Sequence, residues 1–251
     1  MKNSEIKRFK ELKARELKDL YELLQNKLKG TASELHPILS ASKQLESEAS
    51  LHSSETSWGY TISGLILPVR NIKHMEPKGL SAPKLRIDCT IQGNIETWGK
   101  MVDPFTYYDF AMTLYGDVDG KKYSLSWHID RDAAPNSDEH HPLYHIHYSN
   151  GLNHLNRKGC RYDWGNAIYL DCPRLAHYPV DLILGIGFCL TNFYPKSTFD
   201  NLIKEYQFTR LYRVSQEAVL KPYYCNLASA WQYNAAGLNW NDYRSLCPQI
   251  I

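Results

Sequence analysis

No uninterrupted apolar run in this sequence reaches the roughly 20 residues that a membrane-spanning helix needs. The longest, residues 180–190, is short and broken by Gly185 and Gly187. No membrane association is expected. The amino terminus, MKNSEIKRFK, carries no apolar core of the kind a secretory signal requires. Cysteine is sparse: Cys89, Cys160, Cys172, Cys189, Cys225 and Cys247 are widely separated, with no CxxC pair among them. A disulfide framework is therefore not expected, and reduced thiols in a cytoplasm are. Net charge is nearly absent as well, at +2, so overall charge does not name a partner. There is no glycine-rich phosphate loop, no GxSxG elbow and no HExxH helix, which removes several large enzyme classes. Internal repeats and low-complexity tracts are missing too.

What is present suits a folded chain. At 251 residues with 43% hydrophobic content, 18 Tyr and 6 Trp, there is material for a substantial core. Residues 1–30 hold nine Lys and Arg against five Asp and Glu, a local excess of four. A solvated helix face accounts for that excess, with nucleic-acid contact as the alternative.

The order of elements follows from periodicity. Ile6, Phe9, Leu12, Leu17, Leu20, Leu24 and Leu28 fall near helical spacing and Gly30 supplies a stop, which predicts an amphipathic helix over residues 3–29. Its apolar stripe needs a partner, either the rest of this chain or a second protein. A weaker helix is expected over residues 31–50. The small polar run of residues 47–57 reads as a linker. The chain thus divides into an N-terminal helical segment, 1–50, and a main domain, 58–251.

Strand signals follow at residues 59–67, 85–91, 108–114, 121–131 and 143–149, joined mostly by short turns. Five strands in succession predict an antiparallel meander, and the fold class is α+β. After a polar stretch, residues 179–194 read as a Pro-led apolar helix. It is expected to lie on the strand face bearing Leu125, Trp127 and Ile129. A second amphipathic helix is expected over residues 198–220, ended by Pro222.

The reactive side chains concentrate between residues 123 and 151, which hold five of the ten histidines. Alternate residues of a strand share a face. Ser124, Ser126, His128 and Asp130 then line one face, and Leu143, His145 and His147 line one face of the following strand. Paired as a hairpin, these runs gather three histidines and an aspartate. Such a face can do acid–base chemistry, hold a divalent metal ion through nitrogen and oxygen ligands, or simply be a polar surface. The cofactor is left open at this point. His145 and His147 are the candidates for proton transfer, with His128 and Asp130 orienting them or holding a metal.

Arg131, Arg157, Lys158 and Arg161 stand near this cluster in sequence, and guanidinium groups suit bidentate phosphate contact. His141, in His140-His141-Pro142, could swing over the site. Cys172 would need a base such as His177 to act as a nucleophile, and a buried structural thiol is the simpler reading.

The layout His141-Pro142-x-x-His145-x-His147, a polar loop and an apolar helix ending Asn192-Phe193-Tyr194 resembles uncharacterised bacterial proteins found near toxin–antitoxin and phage-defence genes. That resemblance spans residues 105–200 and implies a defence or toxin context. The element order is also similar to ubiquitin-conjugating folds, although His141-Pro142-Leu143 stands where such folds carry His-Pro-Asn. Together these readings predict a phosphodiester- or nucleotide-handling protein whose partner is a nucleic acid or nucleotide. The rival is a non-catalytic module of a multi-protein defence complex, with a protein partner or a second copy engaged through the N-terminal helix.

Overall fold

The structure, a computed structural model, describes residues 2–28, 32–51, 55–69, 80–132, 141–149, 175–231 and 246–248. The amphipathic pattern at the amino terminus forms α1 (Asn3–Leu28), and its apolar stripe is covered by this chain itself except at Leu12, which stays 45% exposed. Ile6, Leu17, Leu20 and Leu24 are buried. Phe9 meets Trp58 and Trp98 edge-on, with ring centroids 5.5 and 6.4 Å apart. Asp19 receives the Arg210 guanidinium at 2.7 Å. Beneath the helix, Lys13 is buried with its ammonium 2.7 Å from Glu16 and 4.0 Å above the Trp98 ring. A buried charge needs such partners, since the desolvation it suffers is otherwise uncompensated. The expected second helix is α2 (Ala32–Ser50). It buries Leu35, Ile38, Ala41 and Leu45, and the Ser42 hydroxyl donates to the Ala14 carbonyl at 2.8 Å.

The expected meander is present and longer by one strand. The sheet consists of β1 (Ser57–Pro68), β2 (Ser81–Asn94), β3 (Phe105–Val118), β4 (Lys121–Arg131), β5 (Tyr144–Ser149) and β6 (Leu175–Ala176). They lie side by side in chain order, and every neighbouring pair is antiparallel. Asp119 and Gly120 form the β3–β4 turn with φ of 51° and 76°, the left-handed pair that a two-residue hairpin turn requires. One sheet face is apolar: Ile62, Leu65, Ile87, Cys89, Ile91, Phe110, Met112 and Ile129 are all buried. The other carries Thr61, Thr90, Asp109, Thr113, Ser126, His128 and Asp130, none of them buried.

Helices cover the apolar face. α3 (Leu182–Phe193) begins later than Pro179, because Asp181 caps it in an extended conformation and accepts from the Leu184 N–H at 2.9 Å. At Gly185 a Cβ would run into the Phe110 ring of β3, so the helix backbone rests directly on that side chain. The expected contact with β4 is only partial. Ile129 is buried and Trp127 meets Phe193 at 5.3 Å, but Leu125 stays 40% exposed beyond the covered part of the sheet.

The helix expected over residues 198–220 is several pieces: α4 (Lys196–Leu202), α5 (Tyr206–Ser215), a π turn (Gln216–Leu220) and α6 (Lys221–Ala228). Pro222 does not end the helical path. It sits in the first turn of α6, where its missing N–H is tolerated, and the widened turn ahead of it accommodates the ring. No described helix is long and apolar enough to cross a membrane.

Candidate functional site

Strand pairing decides which polar side chains meet. β4 and β5 align His128 with His147, Ile129 with Ile146 and Asp130 with His145. β3 aligns Asp109 with Asp130 and Ala111 with His128. Because facing residues of paired strands share a sheet face, Asp109, His128, Asp130, His145 and His147 form one patch on the polar side. The four residues expected from alternation within β4 and β5 are therefore brought together. Asp109 joins them from a strand that carries no histidine.

Within the patch, His128 Nε2 lies 2.6 Å from Asp109 Oδ1 and its Nδ1 lies 3.8 Å from Asp130 Oδ2. His147 Nε2 is 3.5 Å from the same Asp130 Oδ2. The His128 and His147 rings are 5.1 Å apart, centroid to centroid, and the His145 and His147 rings 5.8 Å. His145 lies deeper. Its side chain is 4% exposed, against 29% for His128 and 28% for His147. The His145 Nδ1 meets the Pro142 carbonyl at 3.1 Å and its Nε2 reaches Asp130 Oδ1 at 2.7 Å. That second contact is close but out of line with the ring N–H, which leaves the buried Oδ1 without a well-directed donor.

The environments of these groups differ. The hydrogen bond that His128 donates to Asp109 pushes its imidazole above the usual range, against the opposing effect of burial. Burial pushes His147 below that range, with Asp130 opposing. Burial pushes the Asp130 carboxyl up, but His145 above all, then His128 and His147, outweigh it and hold the group below the usual carboxylate range. Asp130 is thus an anion at the centre of a ring of imidazoles. Among the described residues, His128, Asp130 and His147 also form the one group whose nitrogen and oxygen atoms lie close enough together, all within 4.8 Å, to share a metal ion.

The other candidates fall elsewhere. His141 is beside the patch, with its ring 6.2 Å from that of His145 and its Nδ1 2.8 Å from Asp132 Oδ2. Arg131 is on the opposite, core-side face of the sheet. There its Nε donates to Asp103 at 3.0 Å, and the Tyr144 hydroxyl donates to the same carboxylate at 2.6 Å. Arg157, Lys158 and Arg161 lie outside the described residues, as does Cys172. His177 Nδ1 donates to the Tyr178 carbonyl, 2.6 Å away, and burial pushes the ring below the usual imidazole range. Burial raises the thiols of Cys89 and Cys189, which makes both inert core residues.

Asp109 and Asp132 are the site residues that sequence reasoning missed. The available signal for Asp109 was its place between the core residues Tyr108 and Phe110, which turns it to the polar face. Comparison with family models, curated proteins and solved structures finds no match for this chain.

Proposed function

We propose that this protein handles a phosphodiester or a nucleotide at the polar face of β4 and β5. The reading is supported by one observation: two solvent-reachable imidazoles, His128 and His147, stand 5.1 Å apart around an anionic carboxylate on a rigid sheet. Reactions at phosphorus depend mainly on positioning and on stabilising charge, and a preorganised set of nitrogen and oxygen groups serves both. His145 acts through Asp130, holding the carboxylate in place from below. Asp109 does the same for His128.

Arg131 takes no part in this reading, because its guanidinium is engaged by Asp103 across the sheet. Basic contacts to a phosphate would come from Arg157 and Arg161, which follow β5 in sequence. The resemblance to proteins of toxin–antitoxin and phage-defence neighbourhoods fits a nuclease-like role in a bacterial cytoplasm. The rival reading, a non-catalytic module of a defence complex with an E2-like fold, drew on the amphipathic α1. All of that stripe but Leu12 packs into this chain's own core, which favours the histidine face as the working surface.

The test is cleavage of RNA, DNA and cyclic nucleotides by wild type, His128→Gln and His147→Gln, each with and without divalent metal. The expected result is turnover of at least one substrate class by wild type and a loss of about 100-fold or more in each variant, the scale on which positioned acid–base or electrostatic groups act. Inactivity of wild type across the panel, or undiminished activity of both variants, overturns it.

A further inference from the structure

We propose that His128, Asp130 and His147 bind one divalent first-row metal ion, with Asp109 and His145 as the outer partners that aim the ligands. This goes beyond the phosphodiester reading, since the ion would be held whatever the substrate.

The distances carry the first part of the argument. The separations of Asp130 Oδ2 from His147 Nε2 and His128 Nδ1, 3.5 and 3.8 Å, are longer than a well-formed hydrogen bond. They suit ligands facing each other across an ion. Nitrogen and oxygen atoms each bound at about 2.0–2.2 Å lie roughly 3–4 Å from one another around a metal. The strand register brings the three groups together, and their ligand atoms all lie within 4.8 Å of one another, close enough to share an ion.

The outer contacts carry the second part. A metal-binding histidine usually gives its other ring nitrogen to a carboxylate or a carbonyl, which fixes the tautomer and the ring plane. His128 does this: Nε2 is committed to Asp109 at 2.6 Å, so Nδ1 is the nitrogen turned towards Asp130. Asp130 is divided in the same manner. Its Oδ1 is buried against His145 Nε2 at 2.7 Å, and Oδ2 is the oxygen shared by the two ligand histidines. His145 itself is not a ligand, because both its nitrogens already face oxygen, Asp130 on one side and the Pro142 carbonyl on the other. The deep imidazole thus supports the shallow carboxylate.

Access and donor chemistry complete the case. The three ligand side chains are 28 to 31% exposed, so an ion can enter from solvent. Two imidazole nitrogens and one carboxylate oxygen suit zinc, iron(II), cobalt(II) or manganese(II), whereas magnesium and calcium prefer all-oxygen sites. Three protein ligands leave at least one position for water or a substrate oxygen. All three ligands stand on paired strands, which keeps their spacing fixed without a metal.

The experiment is titration of the chelator-treated full chain with zinc(II) by calorimetry and with cobalt(II) by visible absorption. Wild type should bind one equivalent and develop cobalt d–d bands. Asp130→Asn and His147→Gln should lower the affinity by at least 100-fold. Asp109→Asn, which leaves all three ligands in place, should lower it by about 10- to 100-fold, and this would mark Asp109 as an aiming residue. His36→Gln, on α2, should bind like wild type. Circular dichroism of each variant confirms that it is folded. Absence of stoichiometric binding by wild type overturns the proposal, and so does wild-type affinity in folded Asp130→Asn or His147→Gln. A protein that binds the ion and cleaves nothing supports this site and counts against the phosphodiester reading. Cleavage by a protein that binds no ion does the reverse.

Discussion

Asp181 shows how much a single buried carboxyl can do in this fold. It caps α3 through Oδ1, and its Oδ2 accepts from the Ser215 hydroxyl at 2.6 Å. Burial nevertheless pushes its carboxyl above the ordinary range, outweighing both hydrogen bonds and the nearby Lys13. The folded chain then holds this proton more tightly than the unfolded chain does. Its contribution is fully present below the unfolded value of about 4 and is lost as pH rises through the raised folded value. Asp181→Asn keeps an acceptor for the cap and has no proton to lose. Urea melts of both proteins across a pH series should show the wild type losing stability relative to the variant as pH rises above about 4. Parallel pH profiles would refute the assignment.

The site was largely legible at this same scale. Strand parity puts His128 with Asp130 and His145 with His147, and the β4–β5 register then brings the two pairs onto one face. Arg131 is excluded by the same parity, since it stands with Leu125, Trp127 and Ile129. Asp109 was less accessible, because its meeting with His128 depends on the β3–β4 register and no motif in the sequence states that register.

Among the elements, α3 is the least replaceable. Its residues Leu182, Ile183, Leu184, Ile186, Cys189 and Leu190 are buried, and Gly185 brings its backbone onto Phe110. Gly185→Leu must displace that ring or the helix, and overpacking of this kind typically costs about 1–3 kcal/mol and sometimes more. His145→Ala removes one buried side chain from a polar contact and leaves two acceptors to be rehydrated, which costs about 1–3 kcal/mol. Rehydration is cheap near the solvent-facing patch, whereas nothing near Phe110 can yield. Gly185→Leu should therefore melt well below His145→Ala. A Gly185→Leu protein melting like wild type would mean that α3 is not seated on β3.

Strands and α1 were readable because alternation and the 3.6-residue period are strong signals. The C-terminal helices were harder. A single amphipathic pattern from Thr198 to Leu220 cannot reveal the break between Leu202 and Tyr206. It cannot reveal the π turn that carries the path past Pro222 either.

At the scale of the whole molecule, one apolar sheet face organises everything that packs. The two N-terminal helices and the C-terminal helices share its core, and the opposite face is left polar. The order of the first five strands was legible because they follow one another with no helical pattern between them, so pairing with the sequence neighbour is the simplest arrangement. The sixth strand was not, since two residues carry no periodicity of their own. This division leaves one sheet face apolar and packed and the other polar. The proposed metal site puts His128, Asp130 and His147 at the centre of that polar face. Crystals of the full chain soaked with zinc(II) and measured at the zinc absorption edge test it most directly. The account predicts an anomalous peak within bonding reach of His128 Nδ1, Asp130 Oδ2 and His147 Nε2. A map with no peak there, or with its strongest peak held by other residues, would contradict it.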